Sequence, residues 1–201
     1  MILRIIVENF LSFREATQFD MFPNLKRTTF ENHIYKEREI PLLKQAAVYG
    51  ANGSGKSNFI WAIEFIRKYV LDANFLNNIS ISEYKHKLAA SSEENPISLF
   101  VEFSTTKNYY IYMIEISDSS IVNESLYLSG IGKRENELIF SRKEKTVLFA
   151  DEPTVEIRSA IDKLINDNAM SSVLSLNNRF PIIKDKRASE VYNWFAKDCL
   201  L

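Results

Sequence analysis

The chain has a single cysteine, Cys199, so no internal disulfide can form, and this suits a reducing compartment. Its two histidines, His33 and His86, lie far apart in sequence. With one cysteine they do not furnish the ligand set of a structural zinc site. No stretch approaches the roughly 18 apolar residues of a membrane-spanning helix. The segment from Met1 to Glu8 has neither the basic start nor the cleavage site of a secretory signal. The expected location is therefore cytoplasmic, with no membrane partner. An excess of charge of one sign is also missing. The net charge of −1 gives nucleic acid no support as a partner. The basic residues of 24–44 and 133–145 are interleaved with glutamates, which reads as solvated surface. No glutamine follows Gln45. Glycine is scarcest where it could be spent freely: of five in 201 residues, three fall between positions 50 and 57.

Those residues, Gly50-Ala51-Asn52-Gly53-Ser54-Gly55-Lys56-Ser57, form the phosphate-binding pattern G-x-x-x-x-G-K-S. Each part of the pattern has a physical task. The glycines let successive backbone N–H groups converge on phosphate oxygens. A following helix points its positive end at the same anion. Lys56 is expected to reach the β- and γ-phosphates, and the Ser57 hydroxyl to ligate Mg²⁺. The flanks fit this reading. Gln45–Tyr49 is a short, mostly apolar run expected to be a central parallel strand. Asn58–Leu71 contains no Gly or Pro, and Phe59, Ile63, Ile66 and Val70 recur at helical spacing. Trp61, Phe65 and Tyr69 make a second apolar row, so this helix is expected to be covered on two sides. ATP and Mg²⁺ are the expected ligands, held by Gly50–Ser57 with Asn58 beside them.

The rest of the chain divides by pattern. Leu3, Ile5 and Val7 alternate with Arg4, Ile6 and Glu8 and predict a first strand. Asn9–Arg14 reads as a turn, Ala16–Phe22 as a second strand, and 24–44 as a polar loop. A polar connector spans about 74–95, with a short helix expected near Glu83–Ala90. From Pro96 the runs Ile97–Phe103, Tyr109–Ile116, Ile121–Leu128, Glu137–Phe140 and Thr146–Phe149 are separated by polar turns, which argues for an antiparallel meander. Ile157, Ile161, Leu164 and Ile165 mark an amphipathic helix, and Val191, Tyr192, Trp194 and Phe195 another. Three parts result: strand, P-loop and helix over 1–73, antiparallel β over 96–150, and helices over 155–201. Tyr109, Tyr110 and Tyr112 could stack on bases, but their alternation favours core and cross-strand packing. Trp194 and Phe195 likewise read as a helix packed on its own domain.

An N-terminal strand, then Asn9-Phe10-Leu11-Ser12-Phe13, then a P-loop near residue 50, resembles the ATPase heads of the structural-maintenance-of-chromosomes and RecF class, within the ABC type. The form Gly50–Asn58, with Ile121-Val122-Asn123-Glu124-Ser125-Leu126 and Leu138-Ile139-Phe140-Ser141-Arg142, is similar to a prokaryotic branch of AAA-annotated ATPases. That branch includes anti-phage, abortive-infection and overcoming-lysogenization-defect proteins. The resemblance implies an α/β P-loop NTPase fold, as the N-terminal lobe of an ABC-type head with a mixed sheet plus the antiparallel meander. It implies an ATP-binding and ATP-hydrolysing dimerisation switch in defence, whose partners are a second ATPase head and an effector nuclease or toxin. It places adenine or ribose contacts at Ser12, Phe13 and Arg14, where an ordinary turn is the competing reading. Other readings are a non-hydrolysing assembly platform, a DNA repair or recombination ATPase, and a small-molecule kinase. The meander and the lack of an arginine-rich lid weigh against the kinase.

Such heads also carry a Leu-Ser-Gly signature loop and a strand ending in Asp-Glu. Here Leu128-Ser129-Gly130 is followed by Val147-Leu148-Phe149-Ala150-Asp151-Glu152. Taken together these would make Glu152 the catalytic carboxylate and Asp151 a Mg²⁺ ligand. However, a signature loop should cap a helix, and the residues after Gly130 have no helical period. The favoured expectation is coincidence, with the genuine motifs beyond residue 201. The glutamine that these heads place after the P-loop helix is missing altogether.

Overall fold

The alternation of Leu3, Ile5 and Val7 builds β1 (Ile2–Glu8), with those three side chains buried. A tight turn returns the chain as β2 (Thr17–Asp20), antiparallel to β1. The computed structural model describes residues 1–24, 26, 29, 31–36, 39–88, 95–182 and 185–199. The meander expected from the sequence forms as β5 (Ile97–Ser104), β6 (Tyr109–Ile116), β7 (Ile121–Leu128), β8 (Glu137–Lys143) and β9 (Thr146–Phe149). It is not a separate sheet. β5 pairs antiparallel with β1, giving one seven-stranded sheet in the order β2-β1-β5-β6-β7-β8-β9. A two-residue hairpin, β3 (Ile34–Tyr35) with β4 (Leu42–Leu43), lies apart from it. Leu42 buries against Leu3 and Tyr109 in a small cluster separate from the main core.

Among the described residues four helices accompany the sheet: α1 (Lys56–Leu71), α2 (Val155–Asp167), α3 (Val173–Arg179) and α4 (Lys186–Lys197). α1 and α4 follow the apolar rows read from the sequence. Trp194 and Phe195 on α4 are buried and pack on Phe103, with the Trp194 ring stacked 4.0 Å away, so the self-packing reading holds. Tyr110 and Tyr112 are core residues as well. Glu190 of α4 accepts hydrogen bonds from Tyr110 Oη at 2.9 Å, from Asn108 Nδ2 at 3.2 Å and from Thr105 Oγ1. The region near Glu83–Ala90 forms only a single 3₁₀ turn, Ile81–Glu83, and residues 89 and 90 lie outside the described set.

α1 crosses under the sheet. Near its start Phe59 packs on Phe19 of β2, with ring centroids 5.1 Å apart. Near its end the Tyr69 hydroxyl donates to Glu124 of β7 at 3.0 Å. Glu124 is fully buried. It also accepts from Tyr112 Oη at 2.8 Å and from the Val173 N–H at the start of α3 at 3.0 Å, with the Arg142 guanidinium 3.9 Å away. Arg142 donates in turn to the carbonyls of Glu144, Ala169 and Ser171. This buried polar knot fixes the far end of α1 against the sheet and against α3.

Two sequence expectations are corrected here. Gln45–Tyr49 forms no regular secondary structure and belongs to no sheet, and every pairing among the described residues is antiparallel, so the sheet is not mixed. Tyr49 is 90% exposed. A parallel strand is stabilised by neighbours on both edges and both faces, and no strand of the described residues pairs with this segment. For the same reason α1 is covered on one side only. Ala62, Ile63, Phe65, Ile66, Tyr69 and Val70 are buried, whereas Trp61 is 58% exposed and Ile60 is also open. No described helix is long and apolar enough to cross a membrane.

Candidate functional site

The P-loop leads directly into α1. Gly55 stands at the helix N-cap with φ +91°, a conformation that side-chain-bearing residues rarely adopt. A Cβ at Gly55 would also lie 2.3 Å from Ser12 Oγ, so both backbone angle and space require glycine. A Cβ at Gly50 would meet Ser54 Oγ at 2.6 Å, a contact that rotation of the exposed Ser54 side chain relieves. No side chain caps α1, and its first turn has no acidic residue. The positive end of the helix is thus not neutralised by the protein itself. Lys56 folds back over the loop and donates from Nζ to the Gly50 and Ala51 carbonyls at 2.9 and 2.7 Å. A glycine loop ahead of an uncapped helix N-terminus, with one ammonium beside it, is the chemistry that holds a polyphosphate. Ser57 is the second residue of α1, and Asn58 follows on the same turn.

The model named for the "AAA domain, putative AbiEii toxin, Type IV TA system" matches residues 46–196, three quarters of the chain. The chain belongs to this AAA-domain family. The match starts in the segment before the P-loop and runs through β5–β9 to α4, so it includes both the phosphate cradle and the antiparallel meander but not β1 and β2. No curated protein matches the chain. The fold and the family match together make this an AAA-type P-loop NTPase domain with a large antiparallel sheet, and nucleotide, usually with Mg²⁺, is the ligand class its family implies.

The AAA domain gathers some of the candidate residues and separates others. Ser12 and Phe13, at the tip of the β1–β2 turn, press on Gly55, and Phe13 also meets Phe59 of α1 edge-on at 6.4 Å. Arg14 turns instead into a polar cleft shared with Glu8, Glu15, Asn95 and Glu115. Leu128-Ser129-Gly130 ends β7 in a closed turn rather than at a helix. The Ser129 hydroxyl donates to buried Glu102 at 2.5 Å, and a Cβ at Gly130 would strike the Arg134 carbonyl oxygen at 1.9 Å. Asp151 and Glu152 follow β9, the edge strand farthest from β2, and Glu152 pairs with Arg158 at 3.3 Å. Four strands lie between β9 and β1, about 24 Å at the usual spacing, while the P-loop sits at the β1–β2 end. Substituting Glu152→Gln is accordingly expected to leave steady-state ATPase within about threefold of the unaltered protein. A loss of several orders of magnitude would return Glu152 to the catalytic role.

Sequence reading missed one set of residues at this site. Tyr84 and His86 come after α1 by more than a turn and show no periodicity or motif, yet both hold the turn that carries Ser12.

Proposed function

We propose that this chain is the nucleotide-binding lobe of an ATPase of the RecF and structural-maintenance type. It binds ATP with Mg²⁺ and hydrolyses it when two heads meet, and serves as a dimerisation switch in prokaryotic abortive-infection defence, coupled to a toxin or nuclease effector. The observation that carries this reading is the uncapped N-terminus of α1 beneath a glycine loop, with Lys56 able to exchange two solvent-exposed loop carbonyls for phosphate oxygens. Gly50–Gly55 would hold the phosphates through backbone N–H groups, Lys56 would neutralise charge on the β- and γ-positions, and Ser57 would orient the cation. Mg²⁺ supplies charge neutralisation at the transferred phosphoryl group when bound. The family description adds a toxin–antitoxin setting.

Two features favour a composite site. Leu128-Ser129-Gly130 ends β7 in a turn bonded to Glu102, and Asp151-Glu152 follows β9 at the far edge of the sheet, so neither stretch stands at the P-loop. The segment 45–49 and the outer side of α1 leave Val48, Tyr49, Ile60 and Trp61 in solvent. In the proposed head this face receives the remaining strands of the ATPase domain, and those strands bring the groups that complete hydrolysis. The same missing groups favour a second reading, a nucleotide-binding platform that never turns over. Steady-state ATPase measured against protein concentration separates the two. Residues 1–201 alone are expected to bind nucleotide weakly and turn it over little, whereas an extended polypeptide should gain specific activity as it dimerises. Robust turnover by residues 1–201, unchanged on dilution, would contradict the composite site. Binding without turnover at any length would favour the platform.

A further inference from the structure

The turn that touches the P-loop is held in an unfavourable backbone conformation. Leu11 has φ +50°, a left-handed geometry that costs a β-carbon-bearing residue about 1–2 kcal/mol. Such geometry persists where surrounding contacts over-determine it. Here both backbone polar groups of Leu11 are tied to one short segment after α1. The Leu11 N–H donates to the Tyr84 carbonyl at 2.7 Å, and His86 Nδ1 lies 2.9 Å from the Leu11 carbonyl oxygen. Because a carbonyl only accepts, His86 must carry its proton on Nδ1. Phe10, next to Leu11, is fully buried and stacks on the Tyr84 ring at 6.0 Å while meeting Phe65 of α1 edge-on. The clamp is itself anchored. Lys85, buried between Tyr84 and His86, pairs with Asp118 in the β6–β7 turn at 2.9 Å. One residue beyond the clamped Leu11, Ser12 meets Gly55.

We propose that the Tyr84–His86 segment is a positioning clamp for the phosphate cradle. His86 holds Leu11 in its left-handed conformation, this seats Ser12 against Gly55, and the seated turn fixes the P-loop in the shape that binds phosphate. His86 touches no ligand. It acts through Leu11, Ser12 and Gly55. The inference rests on the nucleotide-binding reading of the P-loop and adds the residues that set its geometry. A physical reason supports the coupling. Glycine at 55 has wide backbone freedom, so without a neighbour pressed on it the loop samples shapes in which its N–H groups do not converge. Preorganisation of those donors raises affinity by reducing the ordering cost of binding.

The test uses residues 1–201 with Mg²⁺ and two probes, ATP and inorganic tripolyphosphate, titrated by calorimetry. His86→Ala is expected to weaken both about three- to tenfold, the effect of one lost buried hydrogen bond. The loss should be equal for the two probes because Gly55 belongs to the phosphate cradle. Asn108→Ala, which removes a hydrogen bond to Glu190 at the opposite end of the β5–β6 hairpin from the P-loop, serves as a stability control. It should lower the melting temperature without altering either affinity. Unchanged affinity in folded His86→Ala overturns the clamp. A loss for ATP alone also overturns it, since that result means the turn contacts the nucleoside directly. Hydrogen exchange on the unaltered protein gives a second measurement that needs no variant. Tripolyphosphate should slow exchange at residues 9–13 and 84–86 together with 50–57. Protection confined to 50–57 overturns the proposal. Failure of the unaltered protein to bind either probe would instead refute the nucleotide-binding reading.

Discussion

Lys56→Ala should reduce ATP binding by roughly 30- to 4,000-fold. The range corresponds to about 2–5 kcal/mol for truncating one partner of a desolvated charge pair. Lys56 supplies the only side-chain cation of Gly50–Ser57, and the backbone N–H groups that remain carry partial charges alone. The fold should be indifferent to the change. In the structure Lys56 Nζ bonds within its own loop, to the Gly50 and Ala51 carbonyls and, at 3.5 Å, to Ser54 Oγ, all at exposed positions, so no core contact is lost and the melting temperature should move by no more than a degree or two. Ser57→Ala should behave differently. Binding without Mg²⁺ should be retained, while the added affinity that Mg²⁺ brings should be lost. Calorimetric titration of ATP with and without Mg²⁺ distinguishes these outcomes. ATP binding by Lys56→Ala equal to that of the unaltered protein would remove the basis for assigning the P-loop.

The second large effect concerns the buried knot around Glu124, and it falls on stability. Glu124→Ala should cost about 3–5 kcal/mol, because it leaves the Arg142 charge buried without its carboxylate. Two tyrosine hydroxyls and the Val173 N–H also lose their acceptor. For a domain of this size that is a fall of roughly 6–20 °C in melting temperature. The double variant Glu124→Leu with Arg142→Met should recover part of the loss, since a well-packed apolar pair can replace a buried ion pair. If the double variant is no more stable than Glu124→Ala, the ion pair is not the source of the effect. The knot also carries a pH signature. Burial raises the Glu124 carboxyl above its ordinary value of 4.5, against the downward pull of Arg142, the Val173 N–H and the two tyrosine hydroxyls. A raised folded-state value means that the folded protein holds the proton more tightly than the unfolded chain. The stability from this linkage is fully present below about pH 4.5 and is lost as pH rises through the raised value. Urea midpoints measured across that window should decline with pH, and Glu124→Gln should flatten the decline. An equal slope in the variant would assign the pH dependence to another group.

The chain's own sequence determined the phosphate cradle, because P-loop chemistry is local: eight consecutive residues supply the turn, the donors, the ammonium and the hydroxyl. It determined α1 and the five strands of the meander for the same reason, since periods of 3.6 and 2 are written in neighbouring residues. Tertiary structure alone decided what those pieces meet. Nothing local to Ile2–Glu8 says that it pairs with Ile97–Ser104, nor that the meander thereby becomes one sheet with the N-terminal strand. Gln45–Tyr49 and Trp61 are apolar enough to predict a buried strand and a helix covered on two sides, but a strand forms only where partners pair with it, and no described strand pairs with 45–49. Leu128-Ser129-Gly130 and Asp151-Glu152 are adjacent motifs in a linear reading. In space the first closes a turn against Glu102, and the second rides on the edge strand away from Gly55. Glu124, Arg142 and His86 carried no motif because each has a defining partner far along the chain: Val173, Ser171 and Leu11, at separations of 49, 29 and 75 residues. A buried charge or a clamp is defined by burial and by what faces it, and both are properties of packing rather than of any window of sequence.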